Sequence, residues 1–192
     1  MKGVRVEEIP DLDRRRFRIA VVGPENAGKS TLVNALLGRD VADVSPTPGT
    51  TKSVSRFRWK DRGLDVTVLD TFGVAGADGR RSKRGVKAED LVEALGRYDL
   101  ALYVVDATKP LGPEALRALH VIKYSADLET VLVANKMDLV PPDERDEVLN
   151  RIRERTGHRP VPVSALTGEG LGRLVSELER RIKRKTRALP RA

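Results

Sequence analysis

No cysteine occurs among the 192 residues, so neither a disulfide framework nor a thiolate metal site can form. The two histidines, His120 and His158, stand far apart in the chain, and each reads as a surface or helix-face residue rather than a metal ligand. Glutamine is absent and asparagine is scarce, a depletion of labile side chains that matches proteins built for high temperature. No apolar run approaches the roughly 20 residues that cross a bilayer, and the charged start "MKGVRVEEIPDLDRRR" has no apolar signal core. These absences predict an intracellular, soluble, cytoplasmic protein.

Hydrophobic residues make up 40% of the chain, enough for a sizeable core, and the length favours one domain. Charged residues reach 33%, and the balance is basic, with a net charge of +8 and a pI near 10.0. Such a charge speaks for association with something anionic, such as RNA, a ribosome or an acidic membrane surface, and not for any fold. The excess is concentrated in "RRRFR" near the start, "GRRSKRG" at residues 79–85 and "ERRIKRKTR" near the end. The last of these reads equally well as a solvated helix face.

A basic lead over residues 1–16 gives way to the β-rich run "FRIAVVG", then to a helix from Lys29 to Leu37 that Gly38 stops. "RDVADVSPTPGTT" is a loop, while "SVSRFRWK" and "LDVTVLDTFG" flank a "DRG" turn and predict an antiparallel strand pair. A Gly- and Arg-rich loop from Val74 to Gly85 precedes a helix through "VKAEDLVEALGR". The pattern then becomes regular: strand "LALYVVDA", helix "PEALRALHVIKYS", strand "TVLVANKMD", helix "DERDEVLNRIRERTG", short strand "PVPVSA" and amphipathic helix "LGRLVSELERRIKRK". Alternating strands and helices predict an α/β protein, a mostly parallel sheet with helices on both faces and one antiparallel edge strand, with ligands at the carboxyl ends of the strands.

"GPENAGKS", residues 23–30, lies at such an end. Two glycines five apart, followed by Lys29 and Ser30, let a loop wrap its backbone N–H groups around an anion, with the next helix aiming its positive end inward. Gly23 and Gly28 permit approaches that a Cβ would block, Lys29 would reach the terminal phosphates and Ser30 would bind Mg²⁺. Pro24, Glu25, Asn26, Ala27 and Thr31 complete the cradle. An ordinary strand-to-helix turn would also use glycine, so the loop alone does not decide between a cradle and a turn.

Asp70 closes the strand in "VTVLDTFG", and Gly73 follows by three, placing a carboxylate for Mg²⁺ and a flexible amide for a third phosphate. Upstream, "TPGTT" offers Thr50 and Thr51, either of which can complete a magnesium shell and sense the γ-phosphate. "NKMD" ends another apolar strand. There Asp138 can accept from the N1–H and N2–H₂ donors that guanine has and adenine lacks, Asn135 can tie this loop to the phosphate loop, and the stem of Lys136 can lie over the base. "VSALTGEG" supplies Ser164 and Ala165, the latter with an amide for the guanine O6.

These five elements in this order resemble the signature of the small GTP-binding domains related to translation factors, and most of all the Era, EngA and TrmE class, whose phosphate loops have the form "GxxNxGKS" and whose first switch carries a "PGTT"-like run. The resemblance covers residues 17–184, between the lead of residues 1–16 and a basic tail of residues 185–192. It implies a P-loop NTPase fold of the Ras-like G-domain kind and hydrolysis of GTP to GDP and phosphate with Mg²⁺. Lys29, Thr51 and Gly73 would act on the reacting phosphates, and Ser30, Thr51 (rather than Thr50) and Asp70 would serve the metal. Asn135, Lys136, Asp138 and Ala165 would serve guanine. In several relatives an asparagine at the position of Asn26 helps to bind K⁺, so potassium stimulation is an expectation here.

Two departures limit what carries over. Ras-like GTPases follow the "DxxG" glycine with a glutamine that orients the attacking water; here the position is Val74, and no glutamine exists elsewhere. Hydrolysis is therefore expected to be slow without K⁺, a second copy in a nucleotide-dependent dimer, or a partner. Arg80, Arg81 and Arg84 stand where a finger would come from, although a surface role suits them as well. The second departure is length: Era and TrmE proteins carry further domains for RNA or tRNA modification, so their specific tasks do not transfer. A binding module with negligible turnover remains the rival reading, with docking at an acidic membrane surface through "ERRIKRKTR" as another.

Overall fold

The computed structural model describes residues 17–38, 54–59, 64–69, 92–93 and 95–188, without the side chains of most of 54–69 and of 186–188. Six strands form one sheet: β1 (Phe17–Val22), β2 (Val54–Trp59), β3 (Leu64–Leu69), β4 (Leu100–Asp106), β5 (Thr130–Asn135) and β6 (Val161–Pro162). Their order is β2-β3-β1-β4-β5-β6. All neighbours run parallel except β2 and β3, which pair antiparallel from Val54 opposite Leu69 to Trp59 opposite Leu64. The antiparallel pair and edge strand expected on either side of "DRG" are both present, while residues 60–63 between them lie outside the described residues.

Period-two alternation in buried strands supplies two cores rather than one buried and one wet face. Ile19, Val21, Leu100, Leu102, Val104, Val131 and Val133 point to one side of the sheet, where they meet Leu32, Val33 and Leu37 of α1 (Lys29–Leu37) and Leu174 and Leu178 of α4 (Leu171–Ala188). Ala20, Val22, Ala101, Tyr103, Val105, Leu132 and Ala134 point to the other. There they meet Ala115 and Leu119 of α2 (Pro113–His120) and Val148 and Ile152 of α3 (Arg145–Thr156). The Tyr103 hydroxyl, buried in that second core, donates to the Ala115 carbonyl oxygen at 2.7 Å, which satisfies it inside the apolar layer.

Boundaries follow local chemistry. Gly38 ends α1 in the left-handed region at φ 73°, its amide donating to the Asn34 carbonyl oxygen at 2.8 Å. The helix expected over "PEALRALHVIKYS" changes character: α2 stops at His120 and residues Val121–Ser125 form a π-helical turn, with the Ala126 amide reaching the Val121 carbonyl oxygen. The strand expected over "TVLVANKMD" ends at Asn135, because Lys136 turns to φ 66°. The strand expected over "PVPVSA" shortens to two residues, and Pro162 has no N–H with which to extend it. Helix α4 runs to Ala188, three residues past the helix expected over "LGRLVSELERRIKRK".

Candidate functional site

β1 delivers its chain to the carboxyl edge of the sheet between β3 and β4. At Gly23 the backbone turns out with φ 145°, and a Cβ there would stand 2.1 Å from the Val104 carbonyl oxygen of β4, so only glycine fits. Asn26 takes a left-handed conformation at φ 61°, which asparagine tolerates, and the Ala27 amide closes the turn on the Pro24 carbonyl oxygen at 3.3 Å. Ala27 is buried, while Glu25, Asn26, Ser30 and Thr31 are exposed around it. Gly28 precedes α1 at φ 84°, and a Cβ there would stand 2.4 Å from Nδ2 of Asn135.

The start of α1 has no side-chain cap and no acidic residue in its first turn. Its leading N–H groups therefore face the loop with an uncompensated positive dipole end. Lys29 is only 8% exposed, and its ammonium donates to the carbonyl oxygens of Gly23 at 2.9 Å and Pro24 at 2.8 Å. A cationic head held inside a ring of backbone, beside an uncapped helix start, is a fitting cradle for a phosphate chain.

Neighbouring strands bring the remaining loops to the same edge. Asn135, 2% exposed at the end of β5, donates from Nδ2 to the Ala27 carbonyl oxygen at 2.9 Å, the tie between the two loops that the sequence suggests. Its Oδ1 accepts from the Ala165 amide at 3.0 Å. One side chain thus joins the phosphate loop, the "NKMD" loop and the "SAL" loop. The Ala165 N–H, expected to meet a guanine O6, is held by Asn135, as a buried amide needs a partner.

Asp138 lies in the one-turn 3₁₀ helix Met137–Leu139, and its carboxylate forms no hydrogen bond or ion pair with the described residues. It is therefore placed to accept from a ligand. Lys136 runs past Gly28, its Cε 3.9 Å from where a Cβ would stand, and its ammonium pairs with Asp106 Oδ2 at 2.7 Å. Ser164 is fully buried; its Oγ accepts from the Thr167 amide at 3.1 Å and its own amide donates to the Glu169 carbonyl oxygen, which folds the "SAL" loop on itself. At Gly170 a Cβ would stand 2.2 Å from the Pro162 carbonyl oxygen, which makes glycine obligatory at the exit from that loop.

Two positioning residues were missed from sequence. Asp106 ends β4 in register with Asn135 on β5, a placement that a strand-terminal Asp in "YVVDA" could have signalled. Burial pushes its carboxyl up, but the Lys136 hydrogen bond, the Thr108 hydroxyl and amide at 2.6 and 3.0 Å, and the Lys136 charge outweigh burial and hold it below the usual carboxylate range. Arg145, at the start of α3, donates to the carbonyl oxygens of Met137 at 2.9 Å and Val140 at 3.3 Å and to Glu169 Oε1 at 2.7 Å. It clamps the two base-side loops together, and no local pattern announces it.

Thr50, Thr51, Asp70, Gly73, Val74 and the arginines at 80, 81 and 84 lie outside the described residues. Among those described, no group of three or more His, Asp or Glu could hold a metal, so of the expected magnesium ligands the structure places only Ser30, in the first turn of α1. Nor is any helix of the described residues long and apolar enough to cross a membrane.

Comparison with known proteins agrees with this geometry. The chain is 38% identical over 175 residues to the tRNA modification GTPase MnmE of Thermotoga petrophila, covering 86% of this chain and 36% of that protein. It is 34% identical over 202 residues to the GTPase Der of Persephonella marina, covering 90% of this chain and 43% of that protein. The chain thus spans less than half the length of these curated relatives. Its fold matches that of Aquifex aeolicus Era bound to GDP·AlF₄⁻ with a TM-score of 0.62 at 27% identity, over 91% of this chain and 57% of that one. The architecture is that of a Ras-like G domain, a P-loop NTPase with five parallel strands and one antiparallel edge. The family described as 50S ribosome-binding GTPase matches residues 18–136, and the chain belongs to that family.

Proposed function

We propose that this chain is a guanine-nucleotide switch that hydrolyses GTP, with RNA or a ribosomal particle as its partner. The observation that carries the nucleotide reading is Asn135, which joins the phosphate cradle to the loop bearing the unpartnered Asp138 carboxylate and so sets both ends of a guanine nucleotide in one frame. Asp138 selects guanine through its N1–H and N2–H₂ donors, and the Lys136 stem, tethered by Asp106, covers the base. The loop amides and Lys29 neutralise the phosphates; Lys29 exchanges its two carbonyl partners for phosphate oxygens. Mg²⁺, held by Ser30 with Thr51 and Asp70, would supply further charge to the phosphate oxygens.

In the reaction a water oxygen bonds to the γ-phosphorus while the bond from that phosphorus to the β–γ bridging oxygen breaks, releasing GDP and phosphate. Val74 and the absence of glutamine leave that water without the glutamine that orients it in Ras-like GTPases. Turnover is accordingly slow until K⁺, a second copy or a partner intervenes. Asn26, exposed on the phosphate loop, is the residue for K⁺. The net charge of +8, membership of a ribosome-binding GTPase family and the similarity to a tRNA modification GTPase support an RNA-related partner.

The test is GTP hydrolysis by purified protein in Mg²⁺, comparing K⁺ with Na⁺, with Lys29→Ala as control and RNA added in a parallel series. Potassium-dependent phosphate release abolished by Lys29→Ala is the expected result. The missing glutamine also supports a second reading, a nucleotide-controlled binding module with negligible turnover. GTP binding with no phosphate release under any of these conditions would establish that reading instead.

A further inference from the structure

At the end of the sheet away from the phosphate loop, a groove of about 460 Å³ opens between the first residues of β5, the chain leading into β6, and α4. β5 lines this groove with Thr130, Val131 and Leu132 and reaches the nucleotide side at Asn135, so about 10 Å of strand separates the nearest residues of the two sites. The groove carries Arg159, Arg173, Arg180, Arg181 and His158, against one carboxylate, Glu177. That carboxylate is already engaged: its Oε1 accepts from both Arg180 and Arg181 at 2.7 Å. Arg181 is fixed further by Glu129 at 2.8 Å. Arg159 and Arg173 are exposed and form no hydrogen bond or ion pair with the described residues. The groove therefore has two unengaged guanidiniums set beside a pinned pair, and its lining residues offer no free negative charge.

The π-helical turn Val121–Ser125, which leads into β5, adds an aromatic at the same end of the sheet. Tyr124 is 63% exposed, packs against the His120 ring at 4.6 Å with the planes tilted by 42°, and has Lys123 Nζ 4.8 Å from its centroid. The turn lies at the same end of the sheet as the groove: only residues 126–129 separate it from Thr130, and the Leu128 amide donates back to the Ile122 carbonyl oxygen at 3.2 Å. Exposed aromatics among cations suit single-stranded nucleic acid, whose bases stack while its phosphates meet guanidiniums. An acidic peptide would use the charges and leave Tyr124 idle. An added β-strand meets Pro160 and Pro162, which offer no N–H. A flat lipid surface does not fill a groove.

We propose that this groove, continued by Tyr124, binds single-stranded RNA, with Arg159 and Arg173 taking backbone phosphates and Tyr124 stacking on a base. The inference deepens the RNA-partner reading above and rests on it, while standing apart from the nucleotide site.

The experiment is fluorescence anisotropy of a labelled oligouridylate of about 15 nucleotides on the full GDP-loaded chain across a KCl series. Arg159→Glu with Arg173→Glu should weaken binding at least about tenfold and reduce the salt slope by about two. Tyr124→Ala should weaken it about tenfold with the slope unchanged. Arg159→Lys with Arg173→Lys should retain the slope. GDP affinity and melting temperature, read on the same samples, should not move, since none of the three residues touches the nucleotide loops.

Wild-type RNA binding that both variants leave intact would place the contact on other basic segments and overturn the groove. A wild type that binds GDP but no RNA would overturn the partner reading and the groove with it. Sedimentation with phosphatidylglycerol vesicles, lost in the arginine variant and unaccompanied by RNA binding, would make the surface a lipid one and equally end the proposal. Failure to bind GDP would count against the GTPase reading alone, because the RNA readout does not depend on it.

Discussion

Asn135 and Ala27, 108 residues apart in the chain, are joined by a buried hydrogen bond of 2.9 Å from the Asn135 amide to the Ala27 carbonyl oxygen. The other end of the same side chain accepts from Ala165. Asn135→Ala would leave a buried carbonyl oxygen and a buried N–H unpaired, each at about 1–3 kcal/mol. GDP affinity is expected to fall about tenfold to a hundredfold by isothermal titration calorimetry. Unchanged affinity would mean that the three loops hold their places without this bridge.

Gly23→Ala tests the close approach of β1 to β4. The new Cβ would lie 2.1 Å from the Val104 carbonyl oxygen, a backbone atom that cannot swing aside, at a φ of 145° that L side chains rarely adopt. The expected loss is about 2 kcal/mol or more of folding stability in a urea titration. A midpoint within error of wild type would show that the loop can move outward at no cost.

Asp106→Asn should loosen Lys136 and raise the GDP dissociation constant several-fold, since a hydrogen bond to a charged group contributes about 1.5–3 kcal/mol and Lys136 is partly exposed. The effect is also pH-dependent with a definite sign. Its folded pKa is held below the ordinary value of about 3.9, so its contribution to stability is complete above that value and is lost as the pH falls through the folded pKa. Thermal melts of wild type and variant should differ at pH 7 and converge in strong acid; a constant gap would contradict the ion pair.

His158 carries the opposite chemistry to the same sign. Burial, then the charges of Lys123 and Arg181, disfavour its imidazolium, so the unfolded chain takes up the proton first as the pH falls below about 6.5. Stability from this site is present above that pH and lost as the pH drops through the folded pKa. His158→Gln should reduce the fall in melting temperature between neutral and mildly acid pH, and an unaltered pH profile would count against a neutral, partly buried ring.

The P-loop fold, the antiparallel strand pair and the parallel strands were all legible in the chain itself. Glycine spacing, period-two apolar runs and strand-terminal polar residues are local signals, written within a few residues of where they act. That is why α1 begins at Lys29 and ends before Gly38 as its capping residues dictate. Tertiary structure alone decided what the loops do to one another. Only the order β2-β3-β1-β4-β5-β6 puts the Val104 carbonyl oxygen against Gly23, Asp106 beside Asn135, and Asn135 within reach of Ala27 and Ala165. The clamp by Arg145 and the partnered Ala165 amide have the same origin. Each depends on which backbone groups the folded sheet leaves in need of a partner, and that need arises only once the strands have been set side by side.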